Sequence, residues 1–158
     1  MPPVCQPGAQ RYGLGMPTKT VDLSAAALEF VTERHLATLT TLRADGTPHV
    51  VAVGFTWDPE SRIARIITDG GSAKVRNVRR GGYAAVSQVA GPRWLTLEGT
   101  ATVLDQPEDV VEAERRYAGR YRVPRENPTR VVIAIAVQRV LSSRTLAAAP
   151  ADIAAPQE

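Results

Sequence analysis

One short segment concentrates the groups suited to hold an anion. It reads Ile66-Ile67-Thr68-Asp69-Gly70-Gly71-Ser72-Ala73-Lys74-Val75-Arg76-Asn77, a branched run, a glycine turn and a helix start in succession. Two glycines let backbone N–H groups approach an anion, the helix N-terminus carries partial positive charge, and Ser72 can cap the helix or donate to an oxygen. Lys74 in the first turn opposes the dipole of its own helix, costing about 0.3–1 kcal/mol at a surface site unless an anion sits between. Arg76, Arg79 and Arg80 extend the basic surface along the same helix. A glycine turn ahead of an ordinary solvated helix would read the same way, since glycine motifs alone are weak signals. The segment has no Gly-Lys-Ser/Thr at Walker spacing, and it is not a dinucleotide fingerprint.

Other chemistries find less support. His35 and His49 are the only histidines, and neither has a cysteine or second histidine at ligand spacing, so no metal site is expected. Cys5 is the sole cysteine, which excludes an internal disulfide and fits a reducing cytoplasm. No nucleophile elbow of the Gly-x-Ser-x-Gly type occurs, so hydrolysis has no support. Basic residues gather at Arg79-Arg80 and over 115–125, but acidic residues interrupt the second run and no nucleic-acid motif accompanies them; no nucleic-acid partner is expected. Trp94 follows Arg93 at a strand start, where the pair either packs or grips an aromatic ligand at a barrel rim. Gln88, near the end of the preceding strand, can meet the same space.

These groups must be positioned by one domain, because 158 residues leave little room for a second core. Hydrophobic residues make up 44% and charged residues 22%, ordinary globular values. Of the 19 basic residues behind the net charge of +3, 17 are arginine, whose planar fork suits phosphate and carboxylate, or simply covers a solvated surface. No 18-residue apolar run and no charged lead into an apolar stretch occur, so neither membrane spanning nor secretion is expected. Pro2, Pro3, Pro7, Gly8, Gly13, Gly15 and Pro17 make residues 1–20 a flexible extension, and 147–158 read as a flexible tail. The ordered domain is expected over 21–146.

Within it, Ser24 caps a first helix. Strands follow over 36–43 and 50–57 around an Asp45-Gly46 turn, and over 63–68. A helix over 72–80 ends at Gly81-Gly82. Strands over 83–89 and 94–104, a helix over 108–121 and a strand over 131–141 complete the chain. Strands in short hairpins with helices at the margins point to a mainly β fold, an antiparallel barrel rather than a doubly wound sheet. Closing the sheet would remove exposed edges, and the unbroken run Val50, Val51, Ala52, Val53 predicts a strand covered on both faces, one cover being a second subunit.

The order of elements, with the stretch 36–49, the spacing Thr68-x3-Ser72-x-Lys74-x2-Asn77 and the run Trp94-Leu-Thr-Leu-Glu-Gly99, resembles the pyridoxamine-phosphate-oxidase-like flavin and deazaflavin reductases. The resemblance covers nearly all of 20–146. It implies a six- to seven-stranded antiparallel split β-barrel with a few peripheral helices, paired as a homodimer with the cofactor at the interface. The implied cofactor is coenzyme F420, a deazaflavin, with FMN the alternative in the same fold. His49, Val50, Val51, Ala52 and Val53 would lie along the ring. Gly70, Gly71, Ser72, Ala73 and Lys74 would hold the phosphate and ribityl chain, with Arg76 and Asn77. Gln88, Arg93 and Trp94 would come from the partner, and Arg79 and Arg80 would lie near the acidic tail. The implied activity is that of an F420-dependent oxidoreductase: hydride passes from reduced deazaflavin to the small molecule biliverdin, giving bilirubin. No catalytic side chain is expected, because the cofactor carries the hydride. An FMN-dependent oxidase or flavin reductase, or a non-catalytic carrier of cofactor or tetrapyrrole, is the alternative.

Overall fold

The computed structural model describes residues 21–147. Residues 1–20, expected to form an extension and including Cys5, and residues 148–158 of the tail expected over 147–158 lie outside the described residues.

Helix α1 (Ala25–Thr32) starts at Ser24, whose hydroxyl accepts from the Ala27 N–H at 3.1 Å, and it turns Ala27, Phe30 and Val31 inward. Strand β1 (Ala37–Leu42) alternates buried Ala37, Leu39 and Thr41 with outward residues, so one face meets the core. Gly46, at φ 83°, and Asp45, whose carboxylate takes the Thr47 N–H at 3.0 Å, make the turn into β2 (Pro48–Val53). Next come β3 (Thr56–Asp58), β4 (Ile63–Asp69) and α2 (Ala73–Gly81), which ends on Gly82 in the left-handed region at φ 64°. Strands β5 (Tyr83–Ala90) and β6 (Arg93–Leu104), helix α3 (Pro107–Arg120) and strand β7 (Arg130–Ser142) follow.

All seven strands form one antiparallel sheet in the order β2-β1-β5-β6-β7-β4-β3. The run expected as one strand over 50–57 is two, and its halves sit on opposite edges of the sheet. Only Gly54 and Phe55 separate β2 from β3, and three Cα steps span at most about 11 Å. The sheet must therefore roll until its edges approach, although no ladder joins them: this is a split barrel. Its interior holds Phe30, Leu39, Phe55, Ile66, Val86, Leu97 and Ile133 among other apolar side chains.

The strand covered on both faces is β7. Val131, Val132, Ile133, Ala134 and Ile135 are all buried, with α3 packed outside β4 and β7. Strand β2, expected to be covered in this way, is an edge strand within the single chain. Its Val50 is 56% exposed, and only Val53 is buried. Among the described residues no helix is long and apolar enough to cross a membrane.

Candidate functional site: a cation-lined cleft in the split of the sheet

The cleft exists because β2 and β4 part company. Strand β3 pairs with β4 from Thr56 opposite Arg65, but one step upstream the chain turns away. Ala52, Val53 and Gly54 then face Ile67, Thr68 and Asp69 across a cleft of about 290 Å³. Gly54 is required there, since a Cβ would stand 3.0 Å from the Tyr117 ring and 3.1 Å from the Tyr121 ring. Those rings stack with centroids 4.8 Å apart, and the Tyr121 hydroxyl donates to the His35 carbonyl at 2.8 Å and accepts from the Phe55 N–H at 3.2 Å. Arg120 completes the clamp. Its guanidinium donates to the Glu33 carbonyl at 2.9 Å, the Phe55 carbonyl at 2.5 Å and Gln88 Oε1 at 2.6 Å, and lies 4.6 Å from the centre of the Phe55 ring. The last turn of α3 thus fixes where the sheet splits.

The glycine turn works differently from the sequence expectation. The Gly70 N–H donates to the Thr129 carbonyl at 2.8 Å, the Gly71 N–H to Asp69 Oδ1 at 2.8 Å and the Ser72 N–H to the Asp69 carbonyl at 3.2 Å. These donors are consumed within the protein and do not cradle an anion. Gly70 serves close packing instead, because a Cβ would meet the Thr129 carbonyl oxygen at 2.9 Å. Hydrogen bonds from Thr129 Oγ1, the Gly71 N–H and Asn127 hold the Asp69 carboxyl below the usual range and tie the turn to the loop after α3. What remains for a ligand is the start of α2. The first amides of a helix have no intrahelical partner, and Ser72 at the cap position makes no side-chain bond to them. Its hydroxyl lies 3.5 Å from Thr68 Oγ1.

Lys74 stands beside these amides, half-buried; burial pushes its pKa down, opposed by the charge of Asp69. The loop from α3 to β7 walls the opposite side with Arg122, Pro124, Arg125 and Asn127, and Arg130 lies at its end. Four cations and one carboxylate line the cleft, alongside apolar Ala52, Val53 and Ile67. Such walls suit a ligand that carries anionic groups beside a smaller apolar surface.

Of the residues expected in a site, Ala52, Val53 and Lys74 line the cleft, and Gly70, Gly71, Ser72 and Ala73 form the chain between the lining residues Asp69 and Lys74. His49 faces inward opposite Thr41, its Nδ1 buried without a partner among the described residues, whereas Val50 points outward and Val51 packs on the core. Arg76 bends back to the Gly71 carbonyl at 2.5 Å. Asn77 is buried, donating to Thr41 Oγ1 at 3.0 Å and accepting from Arg80 at 3.3 Å, which makes it a tie between α2 and β1. Gln88 is fully buried, donating to the Phe30 carbonyl at 2.9 Å while it accepts from Arg120. Arg93 lies 4.9 Å over the Phe30 ring, and Trp94 is 39% exposed on the outer face of the sheet. Both stand three strands from β2, roughly 14 Å at the usual strand spacing, and neither lines the cleft.

Sequence reasoning missed Thr68, Tyr117, Arg122, Arg125, Asn127 and Arg130. The usable signal was Pro124 and Pro128, which forbid a continuing helix and so place the later arginines on a loop rather than a solvated helix face.

This chain belongs to the pyridoxamine 5'-phosphate oxidase family, whose model matches residues 23–144, from before α1 to the end of β7. Within reach of sequence comparison it is similar to the F420H(2)-dependent biliverdin reductase of Mycobacterium tuberculosis (strain CDC 1551 / Oshkosh), 58% identical over 133 residues that span 84% of this chain and 97% of that protein. Two solved structures share the fold. A conserved hypothetical protein from Mycobacterium tuberculosis superposes with a TM-score of 0.66 at 23% identity, over 79% of this chain and 88% of that one. An F420 reductase superposes with a TM-score of 0.60 at 24% identity, over 72% of this chain and 94% of that one.

Proposed function

We propose that this chain is an F420H2-dependent reductase of biliverdin, working as a homodimer with the cofactor held between the copies. The observation that carries the proposal is a cation-lined cleft at the α2 start, in a chain 58% identical to a reductase named for that cofactor and substrate. When bound, reduced deazaflavin supplies the hydride that, with a proton from solvent, converts biliverdin to bilirubin, and no side-chain nucleophile is required. Lys74, the first amides of α2 and the hydroxyls of Ser72 and Thr68 hold the phosphate. The free edge of β2 at Ala52 and Val53 offers backbone N–H and C=O groups to the polar edge of the ring. Ala52, Val53 and Ile67 keep water from the ring and so strengthen each polar contact beside it.

The outer sheet face supports a second copy. Val50, Val89, Trp94 and Leu141 are exposed there among Thr40, Ala85, Ser87 and Thr96, with the Glu98–Arg139 ion pair on the same face. On this reading Trp94 meets the partner across that face, while Arg93, stacked over Phe30 and paired with Glu33 at 3.5 Å, reaches the partner only from the strand end. Gln88 and Asn77 are assigned to the fold.

Purified protein mixed with reduced F420 and biliverdin should restore deazaflavin fluorescence and form bilirubin. Absence of turnover despite tight binding would replace the enzyme with a carrier. A yellow protein that prefers FMN to F420 in a side-by-side titration would replace the cofactor.

A further inference from the structure

We propose that Arg122 and Arg125 form a carboxylate subsite in this cleft, separate from the phosphate end at Ser72 and Lys74; the proposal rests on the cofactor reading above. The cations of this region are unequally partnered. Arg115 and Arg116 bond Glu112, Arg120 is filled by carbonyls and Gln88, and Arg130 donates to Glu114 at 2.7 Å and to the Arg125 carbonyl at 2.7 Å. Lys74 has the charge of Asp69 beside it. Arg122 and Arg125 line the cleft with no side-chain hydrogen bond or carboxylate partner among the described residues.

Arg122 follows directly on Tyr121, whose N–H bonds the Tyr117 carbonyl at 2.8 Å, and the backbone from Arg125 onward is held as well. Asp69 bonds Thr129 and Asn127, Asn127 Oδ1 accepts from the Thr129 N–H at 3.0 Å, and the Arg125 carbonyl is taken by Arg130. A fixed loop presenting two open guanidinium forks suits planar carboxylates, which accept two parallel N–H bonds, whereas a lone lysine suits a phosphate as a point charge. Arg125 also borders a second hollow of about 330 Å³ that shares Pro124, Asn127 and Arg130 with the cleft. A ligand longer than the cleft can cross at Arg125. Glu114 and Glu126 line only that second hollow, so the carboxylates belong at Arg122 and Arg125 rather than beyond.

The ligand is a chain bearing carboxylates, from one of two sources: the acidic tail of the cofactor or the propionates of the acceptor. The double variant Arg122→Ala/Arg125→Ala tests the subsite, with Arg122→Gln/Arg125→Gln as a second pair that keeps part of each stem. Unchanged circular dichroism and Tm are expected in both. Dissociation constants are measured for F420 and for F420 trimmed back to its phosphate, and KM for biliverdin and for its dimethyl ester. If the tail is the source, the constant for F420 rises about tenfold or more while that for the trimmed form moves less than about twofold. If the acceptor is the source, both constants hold, and KM rises about tenfold for biliverdin but not for the ester. Unchanged values throughout, or equal weakening of both cofactor forms, would overturn the proposal. Wild-type protein that fails to bind F420 would instead remove the cofactor reading, and this subsite with it.

Discussion

Arg120 and Arg122 stand two residues apart where α3 ends, and their surroundings differ in kind. Arg120 gives its donors to two carbonyls and Gln88 and lies against the Phe55 and Tyr121 rings, so its charge is used to fix the split. Arg122 reaches the cleft with no protein partner among the described residues. The same contrast separates the two sides of the cleft. Around the break between β2 and β3, the groups of Arg120, Tyr121 and Asp58 are matched and packed, although Trp57 Nε1 is buried without a partner among the described residues; beyond the glycine turn, at the start of α2, hydroxyls, helix amides and cations stand open. Matched polar groups build the scaffold, and open ones define what the scaffold is for.

The contrast is most severely tested on the matched side. Asp58 in β3 is 6% exposed and accepts from the Ser61 hydroxyl at 2.6 Å, Arg65 at 3.0 Å and Arg116 at 3.2 Å, joining β3, β4 and α3. Asp58→Asn leaves two guanidinium groups short of a counter-charge and should cost about 3–5 kcal/mol in urea unfolding. Burial raises the Asp58 pKa, but bonds from Ser61 and Arg65 and the charge of Arg116 outweigh it and hold it at about 2, below its ordinary 3.8. The stabilisation is therefore complete above about 3.8 and disappears as pH falls toward 2, and the variant should lack this part of the acid dependence. A loss under about 1 kcal/mol would contradict a structural role for the cluster.

Arg120→Met comes next. It keeps an apolar stem but leaves Gln88 and two carbonyls short of donors, for about 2–3 kcal/mol of stability. Denaturant midpoints matching wild type would show that the split does not depend on this clamp.

The hairpins and the mainly β character were legible because strand alternation, turn glycines and the Ser24 cap are local signals. The break between β2 and β3 was not. Val50 through Trp57 reads as one apolar run, and what divides it is a contact between Gly54 and two tyrosines more than 60 residues away. The glycine turn was legible as a place but not as a mechanism, since the Thr129 carbonyl that consumes the Gly70 N–H arrives from a distant loop. The protein partners of Gln88 and Asn77 were not legible for a related reason: a polar letter does not say that it will meet the Phe30 carbonyl or the Thr41 hydroxyl. Arg122 and Arg125 hid in a mixed-charge stretch that composition alone assigns to a solvated surface.

On the open side, Lys74→Ala should leave stability unchanged or slightly raised, since burial of the ammonium is unfavourable, while phosphate-bearing cofactor binds about 1–3 kcal/mol more weakly. The proposed contact needs the protonated amine, whose pKa lies below the ordinary 10.5 because of burial. Affinity should therefore fall as pH rises through a midpoint below that value, and the alanine variant should lose this alkaline dependence. Equal affinities of the two proteins in a fluorescence titration would remove Lys74 from the site.

The finest test sets two serines against each other, because each occupies a helix cap position and only one uses its side chain there. Ser24 accepts from the Ala27 N–H and donates to the Leu146 carbonyl at 2.8 Å, so Ser24→Ala should cost about 1 kcal/mol of stability and nothing in affinity. Ser72 makes no cap bond, so Ser72→Ala should cost less than about 0.5 kcal/mol of stability, but about 1 kcal/mol of cofactor affinity through one neutral hydrogen bond. Thermal unfolding and cofactor titration of both variants give four numbers. If Ser72→Ala lost stability and kept affinity, its hydroxyl would belong with the matched groups, and the phosphate end of the cleft would rest on Lys74 and the helix amides alone.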